Sequence, residues 1–123
     1  IYAAAGGSGG GVFEAAVTAR EGGTNVWAIG VDSDQYNTAD PAVQDVILTS
    51  MLKQVNVAVY NTIAAAVAGE DVGGQTTVFD LSVDGVGYST SGDFLSEDTI
   101  AQLEDLKAQI VAGDIEVPTV PEG

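Results

Sequence analysis

The sequence has 123 residues, 46% of them hydrophobic, and it carries 18 Asp and Glu against only three Lys and Arg, for a formal net charge of −15. This length suits one domain, and the scarcity of cations argues against nucleic acid as a partner, because phosphate binding needs clusters of Lys and Arg. Since there is no Cys and no His, disulfides, thiolate chemistry and a histidine base are excluded. We interpret the acidity as a solvated surface, with a surface for a basic partner as the alternative.

The first part of the chain predicts a strand, a glycine-rich turn, a helix and a second strand. Residues 1–5 are a short apolar run, which we expect to begin inside a larger protein, and six residues from Gly6 to Gly11 follow, all but one of them glycine. Apolar residues recur at helical spacing over 12–20, and residues 26–31 are continuously apolar, as in a strand buried on both faces. The pattern predicts a βαβ unit with parallel strands.

A third strand and a second helix are predicted next. Residues 35–45 are polar and contain Pro41, which favours a loop, and residues 46–51 have the apolar character of a strand. Apolar residues at every fourth position then predict a helix that ends at Gly69.

The remainder predicts a hairpin and a final helix. Residues 76–81 and 83–88 indicate a hairpin or a bent pair of strands, divided near Asp84 and Gly85. Ser96 has the character of an N-cap, and Gly113 is expected to end the last helix. Residues 114–123 contain two prolines and are predicted to be an extended C-terminal tail.

The glycine-rich turn lies between a strand and a helix, where exposed backbone N–H groups can approach a ligand. It does not match the dinucleotide pattern G-x-G-x-x-G, since Ser8 or Val12 occupies a required glycine position in every register. It is not a P-loop either, because Val12 and Phe13 follow Gly11 where Lys and Ser or Thr are required. We interpret it as a ligand-contacting turn, with a merely tight turn as the alternative.

Asp32 follows the second predicted strand, at the edge where open parallel sheets bind ligands. A carboxylate there can accept hydrogen bonds from a vicinal diol, so a sugar is the natural ligand, and a solvated turn aspartate is the alternative. Asp32 and Asp34 also have calcium-loop spacing, but the following residues do not supply the expected glycine or bidentate Glu, so no metal is predicted.

Lys53 is one of the three cations and follows the third predicted strand at the start of a helix. A positive charge is unfavourable there because of the helix dipole, which suggests that it donates to a ligand hydroxyl or pairs with Asp32. A solvated lysine is the alternative. Ser50 and Lys53 also have the S-x-x-K spacing of serine enzymes that bind penicillin, but the companion K-T-G is missing, and we predict no enzyme.

Three segments, residues 4–16, 27–36 and 48–53, closely resemble in this order the C-terminal part of the basic-membrane-protein family. The similarity continues to residues 115–119. Members of this family are solute-binding lipoproteins of ABC importers, and the subgroup best known binds purine nucleosides.

The resemblance implies an α/β fold of the type I periplasmic-binding-protein class, in which two Rossmann-like lobes close over a ligand. Residues 1–123 would then be a single C-terminal lobe with three layers and a mostly parallel sheet. Gly6 would contact the ligand through its backbone, with Gly7 beside it, and Asp32 and Lys53 would hold the ribose hydroxyls.

The resemblance also implies partners and a location. The ligand would be a nucleoside or a related sugar-bearing molecule, and no cofactor is implied. The partners would be the membrane subunits of the ABC transporter and an N-terminal lobe that this chain lacks. That lobe would carry the aromatic residues that stack on the base. The protein would be extracytoplasmic, lipid-anchored through an N-terminus outside this chain. The alternative is a lobe reused as a structural or assembly module.

Overall fold

A three-stranded sheet forms the centre of the fold. The computed structural model describes residues 1–2, 4 and 6–120. The strands are β1 (Ala28–Asp32), β2 (Ile47–Lys53) and β3 (Val86–Tyr88), in the order β1-β2-β3. Strands β1 and β2 are parallel, whereas β3 is antiparallel to β2.

Helices precede, separate and follow these strands along the chain. They are α1 (Gly9–Glu21), α2 (Gln35–Thr38), α3 (Pro41–Gln44), α4 (Val55–Val67) and α5 (Glu97–Ala112), with 3₁₀ turns at Gly6–Ser8 and Leu81–Val83. Within the described residues, no helix is both long and apolar enough to span a bilayer.

The βαβ unit predicted at the start of the chain is present. Tyr2 forms a parallel bridge with Ile29, so the first segment lies beside β1 and α1 connects the two. Ala3 and Ala5, which belong to the same predicted strand, lie outside the described residues, as do the last three residues of the tail. The expectation of an α/β fold with a mostly parallel sheet is confirmed.

The core lies between α1 and the sheet and is built from small and medium-sized side chains. Phe13 and Ala16 of α1 pack against Ala28 of β1, against Ile47 at the start of β2 and against Val46 just before it. All five are nearly or fully buried. Arg20, at the end of α1, stacks over the Trp27 ring, with its guanidinium carbon 3.9 Å from the ring centre. One of the three cations therefore has a structural role.

The final helix has the boundaries that the sequence predicted. The Ser96 side chain accepts a hydrogen bond from the Thr99 backbone N–H at 3.2 Å, and Gly113 adopts a left-handed φ of 82° after the last turn. These residues close the two ends of α5 by local interactions.

Two predictions of local structure were wrong in detail. Residues 35–45 form α2 and α3 instead of a loop, because Asp40 accepts a hydrogen bond from the Ala42 N–H at 2.8 Å and Pro41 occupies the first helical turn. Residues 76–80 form no strand, and only the second half of the expected hairpin is present, as β3. The backbone of residues 76–80 has no neighbouring strand among the described residues with which to form a ladder.

Candidate ligand-binding site

Three of the predicted site elements lie at one edge of the sheet. The turn at Gly6–Ser8 follows the segment of Tyr2, Asp32 ends β1 and Lys53 ends β2. Because these segments run parallel, their carboxyl ends meet at the same edge. This edge is where open parallel sheets bind ligands.

Asp32 and Lys53 form an ion pair at this edge. Lys53 Nζ lies 2.8 Å from Asp32 Oδ1, and the side chains are 58% and 55% exposed, respectively. The hydrogen bond to Asp32 and then the charge of Asp32 raise the pKa of Lys53, so the ammonium group is protonated at neutral pH. Since an exposed ion pair contributes little to stability, both groups remain accessible to a ligand at small energetic cost.

The backbone of Asp32 has an uncommon conformation. Its φ is 69°, in the left-handed region, which Asp tolerates better than most residues other than Gly. The Ser33 N–H donates to the Val31 carbonyl at 2.8 Å, which closes a tight turn directly after the strand. A residue held in such a conformation at the end of a strand is a feature of many functional sites.

A buried polar cluster supports the end of β1. The Gln35 side-chain carbonyl accepts a hydrogen bond from the Val31 N–H at 2.7 Å, and the Gln35 N–H donates to Ser50 Oγ at 3.1 Å. Ser50 is fully buried in the middle of β2. A fully buried serine cannot reach a substrate, so the position of Ser50 does not suit a nucleophile. Its role is structural, because its hydroxyl accepts the hydrogen bond from the Gln35 N–H.

Asp34 connects this end of the sheet to a distant loop. Asp34 Oδ2 accepts hydrogen bonds from Asn37 Nδ2 at 2.7 Å and from Ser91 Oγ at 2.5 Å. Its other carboxylate oxygen is buried and has no hydrogen-bond partner among the described residues. The sequence suggested Asp34 only as a calcium ligand, because no local pattern links it to a residue 57 positions away.

The glycine turn offers open backbone. Gly6 has a φ of 55°, which disfavours any residue with a side chain, and a Cβ on Gly6 or Gly7 would meet no atom within 4 Å. A Cβ on Gly9, Gly10 or Gly11 would also meet no atom within 4 Å. Packing against the described residues therefore does not explain why these positions are glycine, whereas close approach of a ligand would.

Among the described residues, no group of three or more Asp or Glu side chains lies close enough together to hold a metal ion.

The chain is similar to known proteins over nearly its whole length. The model of the Bmp family, described as ABC transporter substrate-binding protein PnrA-like, matches residues 1–120. A CD4+ T-cell-stimulating antigen of Listeria monocytogenes is 40% identical, and one of Listeria innocua is 39% identical. Each alignment covers 98% of this chain and 36% of the relative.

The fold is also similar to a solved structure. A solute-binding protein of an ABC transporter system from Aeropyrum pernix K1 matches with a TM-score of 0.67 and 26% identity, over 98% of this chain and 40% of that chain. The present chain thus spans well under half the length of the proteins that it matches. It belongs to the Bmp family of PnrA-like ABC transporter substrate-binding proteins.

Proposed function

We propose that this chain is part of an extracytoplasmic solute-binding protein that captures a nucleoside, or a similar ribose-bearing molecule, for an ABC importer. The observation that carries the proposal is the exposed Asp32–Lys53 pair at the carboxyl edge of the sheet, on the same edge as the open glycine turn. In this role the protein binds and releases its ligand, and no bond is made or broken. The family, a class of substrate-binding proteins, supports this role.

The pair suits two neighbouring hydroxyl groups. A carboxylate is an acceptor only and an ammonium group is a donor only, so Asp32 can accept from both hydroxyls of a diol while Lys53 donates to a hydroxyl oxygen. Backbone groups at Gly6 and Gly7 can contact the ligand without interference from a side chain. Ribose offers such a diol, whereas 2′-deoxyribose does not.

The charge of the site favours a neutral ligand. Asp32 compensates the charge of Lys53, and the chain as a whole has a formal charge of −15, so a phosphate group would be repelled. The glycine turn also lacks the lysine of a P-loop. A nucleoside therefore fits better than a nucleotide.

The proposed partners lie outside this chain. They are a second, N-terminal lobe that forms the other wall of the cleft, a lipid anchor at the N-terminus of the whole protein, and the membrane subunits of the importer.

Calorimetry on the complete gene product tests the proposal. We expect a panel of ribonucleosides to contain at least one ligand, and its 2′-deoxy form to bind about 10- to 100-fold more weakly, which is the loss expected for hydrogen bonds to charged groups. Asp32→Asn and Lys53→Gln should each weaken binding by a similar factor. Glu21→Gln is the control for Asp32→Asn, because it also removes one negative charge, from an exposed position on α1. It should leave affinity unchanged.

Two results would count against the proposal. One is that no ribonucleoside binds or shifts the melting temperature. The other is that Asp32→Asn binds the ribonucleoside and its 2′-deoxy form as the unaltered protein does.

A further inference from the structure

The turn that follows β1 holds Asp32 in a strained conformation. The Ser33 N–H donates to the Val31 carbonyl, so Asp32 is the middle residue of a three-residue γ-turn. Its φ of 69° gives the rare and strained form of this turn, whereas the common form has a negative φ. A strained backbone of this kind persists only where surrounding interactions enforce it. The residues around Asp32 must therefore supply those interactions.

Gln35 attaches both ends of this segment to the sheet. Its side-chain Oε1 accepts a hydrogen bond from the Val31 N–H at 2.7 Å and closes a loop over residues 31–35. Its backbone N–H donates to Ser50 Oγ at 3.1 Å, and Ser50 is fully buried in β2. The residue before Asp32 and the residue three positions after it are thus both fixed through Gln35.

Gly30 leaves room for the Gln35 side chain against β1. A Cβ on Gly30 would lie 2.9 Å from Gln35 Oε1 and 3.0 Å from Gln35 Cβ, which is closer than van der Waals contact. The Gln35 side chain can approach the strand in this way only because residue 30 is glycine. The sequence therefore provides both the acceptor for the Val31 N–H and the space that this acceptor needs.

Asp34 anchors the segment on one side only. Its Oδ2 accepts hydrogen bonds from Ser91 Oγ at 2.5 Å and from Asn37 Nδ2 at 2.7 Å. These bonds hold the chain after the turn, whereas the Gln35 side chain reaches back across the turn to Val31. Of these two residues, Gln35 is the one that fixes the backbone on both sides of Asp32.

The direction of the Asp32 carboxylate depends on this turn. Asp32 Oδ1 lies 2.8 Å from Lys53 Nζ, and both side chains are more than half exposed. An exposed ion pair contributes little energy, so the pair by itself does not hold Asp32 in a strained conformation. If the turn relaxed to an extended backbone, the carboxylate would point in another direction. The geometry of the pair therefore depends on the residues that enforce the turn.

We propose that Gln35 is a positioning residue of the binding site. By closing the turn onto Val31, it sets the Asp32 carboxylate beside Lys53 and gives the site its preference for a vicinal diol. The inference rests on the proposed function, in which Asp32 accepts hydrogen bonds from the hydroxyls of the ligand. The Gln35 acceptor is engaged with the Val31 N–H, so its effect on the ligand passes through Asp32.

The first test uses no ligand and measures the position of Asp32 in the complete gene product. The hydrogen bond to Asp32 raises the pKa of Lys53, so this pKa reports whether the pair is intact. Gln35→Met keeps the length of the side chain but removes the acceptor, and the pKa of Lys53 should fall toward its ordinary value, as in Asp32→Asn. Gln35→Glu keeps an oxygen acceptor, and the pKa should stay raised. NMR titration of the lysine side chains measures it, with the Lys53 signal identified by its loss in Lys53→Gln.

The second test measures affinity by calorimetry, with adenosine, guanosine, inosine, cytidine and uridine and the 2′-deoxy form of each. Gln35→Met should weaken binding of the tightest ribonucleoside about 10-fold and lower its preference over the 2′-deoxy form by a similar factor. Gln35→Glu should restore affinity to within about 3-fold of the unaltered protein. In the Asp32→Asn protein, Gln35→Met should weaken binding by less than about 2-fold further, because both changes act on the same carboxylate.

Gln44→Met is the matched control for a purely structural role. The Gln44 side chain also bonds to a part-buried backbone group, since its Nε2 donates to the Tyr36 carbonyl at 2.8 Å. This bond lies outside the turn at Asp32. The control should lower the melting temperature as Gln35→Met does, but it should leave the affinity and the pKa of Lys53 unchanged.

Three outcomes would overturn the inference. They are a pKa of Lys53 that stays raised in Gln35→Met, equal losses of affinity in Gln35→Met and Gln44→Met, and a loss in the Asp32→Asn protein as large as in the unaltered one. If Gln35→Met is too unstable to purify, Gln35→Asn takes its place, because its amide falls one methylene short of Val31. Failure of every nucleoside to bind would overturn the proposed function, whereas the NMR titration would still decide whether Gln35 positions Asp32.

Discussion

Gly30 lies in the middle of β1, next to the buried cluster that supports the candidate site, and its replacement by Ala tests whether that cluster is rigid. A Cβ at this position would lie 2.5 Å from Ser50 Oγ and 2.9 Å from Gln35 Oε1. Both distances are shorter than van der Waals contact. Ser50 is fully buried and cannot move into solvent, so the clash must be relieved inside the fold.

The cost of Gly30→Ala has two parts. Forcing an extra methyl group into a packed site costs about 1–3 kcal/mol. Moving the Ser50 side chain breaks its 3.1 Å hydrogen bond with the Gln35 N–H, whereas moving the Gln35 side chain breaks its 2.7 Å hydrogen bond with the Val31 N–H. Either movement leaves a part-buried N–H without a partner, which costs about 1–3 kcal/mol. The lower chain entropy of Ala in the unfolded state returns about 0.5–1 kcal/mol. We therefore expect a net loss of about 1–5 kcal/mol in the free energy of unfolding.

Urea denaturation of the purified variants measures this loss. Gly87→Ala is the matched control, because Gly87 is also in the middle of a strand and a Cβ there would meet no atom within 4 Å. Without a clash, only the entropy effect remains, so this variant should raise the free energy of unfolding by about 0.5–1 kcal/mol. In a Ser50→Ala background the nearest clashing atom is gone, so Gly30→Ala should cost at least about 1 kcal/mol less than in the unaltered chain. Equal losses for Gly30→Ala and Gly87→Ala would refute the reasoning.

Three further predictions concern charge, ionisation and helix capping. Because 18 acidic residues face three cations, added NaCl should raise the melting temperature by screening repulsion, and a fall would show that ion pairs dominate. The hydrogen bond from the Tyr88 hydroxyl to Glu104 raises the pKa of Tyr88, so its stabilising contribution is complete below the ordinary pKa and is lost as pH rises through the raised one. Urea titrations should show that Tyr88→Phe is less sensitive to alkaline pH than the unaltered chain, and equal sensitivity would contradict this. Ser96→Ala should lower the free energy of unfolding by about 1 kcal/mol, with a matching loss of α5 helicity by circular dichroism, whereas no change would mean that the cap is dispensable.

Local signals were sufficient where a feature depends on neighbouring residues. The N-cap at Ser96 and the glycine at 113 determine the ends of α5 through contacts within one turn. Local signals also located β1, whose run is continuously hydrophobic, and β2, which begins with large apolar side chains. The Asp40-Pro41 start of α3 was also a local signal, and it was overlooked in favour of the polar composition around it.

Features that join distant residues required the tertiary structure. Asp32 and Lys53 could each be placed at a strand end from sequence, but their 2.8 Å contact follows from the register that sets Asp32 opposite Leu52. The links of Gln35 to Ser50 and of Asp34 to Ser91 have no sequence spacing that could predict them, because packing alone brings these residues together. Residues 76–80 also depend on distant contacts, since no other strand among the described residues pairs with them.

The strand-forming residues at 76–79 are a property of the sequence, but a strand exists only when another strand supplies its hydrogen bonds. The sequence by itself thus determined the order of the three long helices and the buried strands, and which residues stand at the ends of those strands. The tertiary structure decided which of these residues meet and which segments are left without a partner, because both depend on contacts between residues far apart in the chain.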